Sequence, residues 1–370
     1  MKLSPQQDDA LKSVAAWLKT GTPQVFRLFG FAGTGKTTLA RRIAEDVDGD
    51  VLFAAFTGKA AQVMRNKGCA NARTIHSLIY RPRGEKAEEE TGEMQPAFSL
   101  NRTSTVAKAK LVIVDECSMV DEALGRDLLS FGTPVLVLGD PGQLPPVSGG
   151  GFFTEHDPDV MLTEVHRQAR DNPIIALAQT VREGGRPDYG RYGDSRVIGR
   201  EDIDSEQVLA ADQVLVGRNK TRQLYNRRIR ALKNFDGLLP AAGDKLVCLR
   251  NSSEKGLLNG GLWRVSSVGA RPGPALNMLV KSEEEGAHGP SAKIRVLKAM
   301  FEEGPEAVAW ERRKNSDEFD YGYALTVHKA QGSQWDKLVL FDESFAFRET
   351  RDRWLYTAIT RAAEQITIVR

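Results

Sequence analysis

Short apolar runs that alternate with helical patterns predict an α/β chain, built as two parallel-sheet units that are each interrupted by an insertion. Three observations carry this expectation. The runs at 25–29, 51–56, 111–114 and 135–138 are almost purely apolar, as strands buried on both faces are. Each ends in a Gly, Thr or Asp turn, and most lead into a helical pattern, such as 39–47 or 122–129. The alternation then restarts: a strand at 214–216 precedes a helix over 220–232, and a strand at 338–341 precedes a helix over 351–361. A last strand at 365–369 closes the second unit.

With 370 residues, the chain has room for two or three domains. The expected division is 1–150 for the first unit, and 151–242 with 321–370 for the second. Two segments break the pattern. Residues 81–105 are polar, hold five glutamates from Glu85 to Glu93, and read as a small hairpin raised from the first unit. Residues 243–320 contain strands at 245–249 and 262–268, joined through Asn259, Gly260 and Gly261, and read as a small β-barrel inserted in the second unit.

Composition bounds the function. Hydrophobic residues make up 41% and charged residues 27%, ordinary values for a globular protein. A net charge of +2 makes no case for a polyanionic partner, so any basic groove must be local. Cys69, Cys117 and Cys248 are far apart and form no C-x-x-C, which argues against a disulfide framework or zinc finger and fits a reducing compartment. No stretch approaches the ~20 apolar residues of a membrane span, and a cytoplasmic protein is expected.

The strongest local signal is Gly30-x-x-x-x-Gly35-Lys36-Thr37, which follows a predicted strand and opens a predicted helix, as a phosphate-binding P-loop must. Backbone N–H groups over Gly33, Thr34 and Gly35 and on into the helix at Thr38 would wrap the phosphates of ATP. Lys36 would neutralise the β- and γ-phosphates, and the Thr37 hydroxyl would sit on Mg²⁺. The strand at 111–114 delivers Asp115 and Glu116 at its carboxyl end: Asp115 for the Mg²⁺ shell, Glu116 to orient and deprotonate water. Gln143, in a Pro/Gly turn after the next strand, places an amide where it can reach the γ-phosphate or that water, and Pro145 and Pro146 follow it.

Together these motifs resemble superfamily 1 helicases, in particular the RecD-like and phage Dda-like branch that moves 5′→3′, and the resemblance covers nearly the whole chain. Residues 3–10 are similar to the Q motif, with Gln7 placed as the adenine-reading glutamine. Residues 56–61 and 74–78 look like motifs Ia and Ib, 115–119 like motif II, and 139–146 like motif III. Residues 162–168 resemble motif IV, 323–333 motif V and 356–362 motif VI. The last two form the most specific pair.

The resemblance implies two RecA-like P-loop domains with ATP and Mg²⁺ between them, and Arg167 and Arg361 reaching across to the γ-phosphate. It also implies a single-strand channel lined by Thr57, Lys59, His76, Pro145, Thr326 and His328. Both breaks lie where this branch carries a strand-separating hairpin, with Phe98 its one aromatic from 81 to 105, and an inserted β-barrel. Seven Lys or Arg and no acid occur from 213 to 235; at helical spacing they cannot share one face, so only a few could track phosphates. The expected activity is a 5′→3′ DNA helicase acting as a monomer on single strands and duplex junctions, with replication or recombination proteins as further candidates for partners. Rival readings are an RNA-directed translocase and a non-unwinding, ATP-switched binding subunit. Intact Glu116, Gln143, Arg167 and Arg361 argue against the switch.

Overall fold

The computed structural model describes residues 3–87, 94–145, 151–165, 172–252, 254–270, 272–283 and 290–370, without the side chains of 82–87 and 94–98. The first unit holds β1 (Val25–Gly30), β2 (Val51–Ala55) and β3 (Arg73–Thr74), then a hairpin of β4 (Tyr80–Ala87) and β5 (Met94–Leu100). It continues with β6 (Leu111–Asp115), β7 (Val135–Gly139) and β8 (Val160–Leu162). All but the hairpin form one parallel sheet in the order β3-β2-β6-β7-β1-β8. Leu111 to Val114 and Val135 to Leu138 are fully buried, which is why these strands read as continuous apolar runs. Helices seal both faces. Leu28, Leu39 and Ile43 pack on one side, and Phe29, Ile75, Leu124 and Phe153 on the other.

The division at residue 150 falls short. β8 pairs with β1 through Leu28–Val160 and Gly30–Leu162, so the first sheet takes its last strand from beyond that point. A three-residue strand between polar turns is too short to show as a periodic run.

In the second unit, β9 (Gly190–Tyr192), β10 (Ser195–Ile198) and β11 (Gln213–Val216) precede the insertion. The insertion comprises β12 (Lys245–Cys248), β13 (Leu262–Val268), β14 (Ala275–Ser282), β15 (Ser291–Leu297) and β16 (Phe319–Tyr321), and β17 (Ala324–Thr326), β18 (Trp335–Phe341) and β19 (Ala362–Val369) complete the unit. Its main sheet runs β17-β11-β18-β19-β10-β9, parallel except for the short edge strand β9. The insertion is a five-stranded antiparallel sheet, β15-β14-β13-β12-β16, rather than a barrel closed by a strand ladder. It curls until its edges touch: Asp317 N–H donates to Arg295 O at 2.7 Å, and Arg295 N–H to the Asp317 carboxylate at 2.8 Å.

The basic helix Asn219–Leu232 fastens this insertion to the main sheet. Arg222 is fully buried and ion-pairs with Asp320 of β16 and with Glu306 (3.1 Å). Arg230 is buried and grips both oxygens of Asp244, just before β12, at 2.9 and 3.0 Å. Two of the seven cations from 213 to 235 are therefore structural. Glu343, after β18, holds the start of the helix by accepting from Gly217 N–H, Arg218 N–H and the Thr221 hydroxyl at 2.7–3.0 Å. Burial works to raise its pKa, but hydrogen bonds from Thr221, Arg218 and Gly217 win and hold it below the usual carboxylate range.

Candidate nucleotide cleft and strand-binding face

A cleft of about 640 Å³ separates the two main sheets. Its floor is the P-loop. Gly33 and Gly35 both take φ of +80°, where a Cβ would be strained, and Gly35 starts the helix Lys36–Asp46. Gly33, Gly35, Lys36, Thr37 and Thr38 line the cleft. Thr34 does not: its buried hydroxyl donates to Phe31 O at 2.8 Å and tightens the loop. The Lys36 ammonium folds onto the loop, donating to Gly30 O (2.6 Å) and Phe31 O (3.1 Å).

Asp115 ends β6 and accepts from the Thr37 hydroxyl at 3.2 Å and from Glu116 N–H at 2.8 Å. Burial, then the neighbouring Glu116 carboxylate, raises its pKa. Oxygen donors from two elements thus meet where a hard divalent cation would bind, and the residue types fit Mg²⁺. Glu116 adopts a left-handed conformation (φ +53°, ψ +45°), costing a side-chain-bearing residue about 1–2 kcal/mol. Its carboxylate comes within 3.7 Å of the Arg361 guanidinium from the second unit. Gln143 joins the two. In the amide orientation that satisfies both neighbours, its nitrogen donates to Glu116 Oε2 at 3.0 Å and its oxygen accepts from Arg361 Nη2 at 3.2 Å. Arg361 is itself buried, anchored by Nε on Thr357 O at 3.2 Å.

Further contacts across the cleft involve groups to which the sequence analysis gave no role. The Tyr356 hydroxyl accepts from Ala32 N–H of the P-loop (2.9 Å) and donates to Asp140 Oδ2 (2.8 Å). Asp140 is buried, which raises its pKa, although Lys36 and the Tyr356 hydroxyl pull the other way. Leu144 N–H donates to the Thr357 hydroxyl (2.8 Å), and Gln331 Nε2 to Leu144 O (3.1 Å). Arg182 stacks over Phe31 at 3.8 Å, a contact worth about 0.5–2 kcal/mol. Gly332 (φ +74°) lies so close to the first unit that a Cβ would meet Ala60 Cβ at 2.9 Å.

Gln7, expected at the adenine, does not line the cleft. It is buried, accepts from Ser4 N–H (3.1 Å) in a capping box, and donates to Thr34 O (3.0 Å), so its amide braces the P-loop from behind. Gln6 is likewise engaged, with Met161 O and the backbone N–H groups of Thr163 and Glu164. Arg167 lies outside the described residues.

On the expected strand face, Thr57 caps the helix Gly58–Asn66, accepting from Ala60 N–H at 3.1 Å, and Lys59 lies in that helix's first turn. His76 is exposed between Phe56 and Tyr80, with ring centroids 6.2 and 5.5 Å away. Pro145 is half-buried; His328 is also half-buried, 5.4 Å from the Phe347 ring, and burial lowers its pKa. Thr326, by contrast, is buried at the end of β17, where its hydroxyl accepts from Lys329 N–H at 3.4 Å. Phe98 is paired through its backbone with Pro82 in the hairpin, and its side chain is outside the described set. Among the described residues no His/Cys/Asp/Glu cluster could hold a metal on its own, and no helix is long and apolar enough to cross a membrane.

Known proteins resemble this chain in sequence and in fold. The AAA domain profile matches residues 2–201, and the UvrD-like helicase C-terminal domain profile matches residues 321–369. The chain is 31% identical over 359 residues to the ATP-dependent RecD2 DNA helicase of Deinococcus radiodurans, an alignment spanning 91% of this chain and 46% of that protein. It is 35% identical over 170 residues to the ATP-dependent DNA helicase dda of Enterobacteria phage T4, spanning 42% and 37% of the two chains. It thus spans about half the length, or less, of these two relatives. In fold it is similar to the Pif1 helicase of Candida albicans (TM-score 0.59, 19% identity, 100% of this chain and 94% of that one). It is equally similar to a Bacteroides Pif1 helicase in complex with ADP-AlF3 and ssDNA (TM-score 0.59, 18% identity, 99% and 92%). The chain belongs to the AAA-domain family, and in sequence it is similar to the RecD2 and Dda helicases.

Proposed function

We propose that this chain is an ATP-driven motor on DNA, a helicase that advances 5′→3′ on a single strand and separates the duplex ahead of it. The observation that carries the reading is the Glu116–Gln143–Arg361 bridge, which ties a water-activating carboxylate in one unit to a buried cation in the other. ATP in the cleft would take the Lys36 ammonium from the carbonyls it now holds, and the P-loop N–H groups would receive the phosphates. Mg²⁺, held by Thr37 and Asp115, would supply charge to offset the phosphates when bound. Glu116 positions the attacking water and accepts its proton. Arg361 offsets the charge that develops on the γ-phosphate. Gln143 touches both, so a change at the γ-phosphate is felt at once on each side of the cleft.

Opening and closing follow from the same contacts. Tyr356, Thr357, Gln331 and Arg361 all bond to the first unit, so loss of product shifts the two sheets as bodies. Motif V runs from the strand face at His328 to the cleft at Gly332, and it transmits that shift to the bound strand. The β4–β5 hairpin is the element raised toward the duplex junction. Duplexes with 5′ or 3′ single-stranded tails, in DNA and RNA versions, test the reading. DNA with a 5′ tail should be displaced, and unwinding from 3′ tails alone would sink the direction.

A further inference from the structure

The five parallel strands of the second sheet all end on one edge, and the antiparallel β9 begins there. Just past those ends, in order across the sheet, stand His328, Arg218, Phe345, Arg370, Arg200 and Tyr189. Every strand therefore presents a cation or an aromatic ring at this edge, which is about 24 Å wide at ~4.8 Å per strand. His328 is at one end, in motif V; the rest is not accounted for by the cleft.

The arginines divide into two groups. Arg218 is bonded to Glu343 (2.7 and 2.9 Å) and lies 5.5 Å from the Phe345 ring. Arg370 donates to Pro187 O (2.6 Å), approaches Asp342 (3.7 Å) and lies 5.8 Å from the Tyr189 ring. These two prop the aromatic rings, which remain 54% (Phe345) and 65% (Tyr189) exposed and so have faces open to stacking. Arg200 and Arg351 are exposed and make no ion pair among the described residues, and Arg186 is only 3.8 Å from Asp352 at its nearest. All three, with Arg370 and both rings, surround a depression of about 380 Å³ whose lining has a single carboxylate, Asp342. Arg186, half-buried, holds its proton less tightly than usual because of partial desolvation and then the like charge of Arg351 and Arg370, a crowding that an anion would relieve.

We propose that this edge is a second stretch of the single-strand path, continuing from motif V across β18, β19 and β10, with phosphates on Arg200 and Arg351 and bases on Phe345 and Tyr189. It rests on the reading of the chain as a motor on single strands. Cations interleaved with exposed rings suit a polymer of phosphates and flat bases and give no sequence preference.

The test is oligothymidylate affinity across salt concentrations, without nucleotide. For Arg200→Ala with Arg351→Ala, the slope of log affinity against log salt should shrink by about 1.4, ~0.7 for each phosphate released. The matching pair of Arg→Lys changes should restore it. Tyr189→Ala and Phe345→Ala should each weaken binding about fivefold or more with the slope unchanged. DNA-free ATPase should stay native in all of them. If wild-type protein binds oligothymidylate but the arginine variant keeps both affinity and slope, the path extension is wrong, and the patch is left to an acidic protein segment. If wild-type protein does not bind at all, the motor reading falls and takes the extension with it.

Discussion

The two parallel sheets share an architecture but use opposite ends. In the first, the P-loop after β1, Asp115 and Glu116 after β6, and Asp140 with Gln143 after β7 all gather at the carboxyl ends of strands. Open α/β sheets bind ligands there. In the second, the groups facing the cleft come from the amino ends: Gly332 and Ser333 precede β18, and Arg361 precedes β19. The carboxyl edge of that sheet is thereby free for another ligand, and it carries His328 and the row from Arg218 to Tyr189. The lesson is how one fold used twice could couple two ligands: on the proposed reading, the second unit would meet nucleotide at one end of its strands and a single strand at the other, so motion driven at the first end would be delivered at the second. The helix Arg351–Ile359 carries groups of both ends, with Arg351 at the depression on the strand edge and Tyr356 and Thr357 bonded to the first unit.

Lesions at the two ends should have separable effects. The largest is expected at Arg361: Arg361→Ala should lower kcat about 10³-fold, the contribution of an arginine finger supplied in cis, while nucleotide-free binding to single strands persists. Loss of strand binding along with turnover would mean that Arg361 holds the fold. Glu116→Gln comes next, at about 10²-fold or more in kcat with ATP still bound; native turnover in this variant would remove Glu116 as the base. Tyr356→Phe deletes the bonds to Ala32 and Asp140, each worth about 0.5–1.5 kcal/mol, so roughly a tenfold loss in turnover is expected. A rate equal to wild type would show that the cleft closes without this latch. At the opposite end, His328→Ala should weaken single-strand affinity about fivefold and leave DNA-free hydrolysis alone. Replacing residues 85–95 with a Gly-Ser link should change neither rate nor affinity much, yet reduce strand displacement; full unwinding without that segment would discard the hairpin as separator.

Much of the cleft was legible because its parts are local. The P-loop spacing, the two carboxylates at the end of an apolar strand and the Gln143 turn each fit in a few consecutive residues. Gln7 stands in a local signal of another kind: with Ser4 it forms a capping box, which the spacing of three residues also encodes. What could not be read depends on distant partners. Tyr356 opens the motif VI resemblance, but its role as a latch is not legible there, because its partners are 216 and 324 residues away. The basic run from 213 to 235 reads as cations spread around a helix, but the acids that pair with Arg222 and Arg230 come from strands of the insertion or just before them. The edges of the inserted sheet likewise meet where Arg295 of β15 bonds to Asp317, just before β16, a contact that no periodicity encodes.

The central claim is that the cleft and the strand-bearing edge form one coupled device, and steady-state ATP hydrolysis with and without oligothymidylate tests it most directly. Hydrolysis should rise severalfold when the strand is added, and the rise should vanish in Glu116→Gln. A rate that the single strand leaves unchanged, in protein shown to bind that strand, would contradict the account.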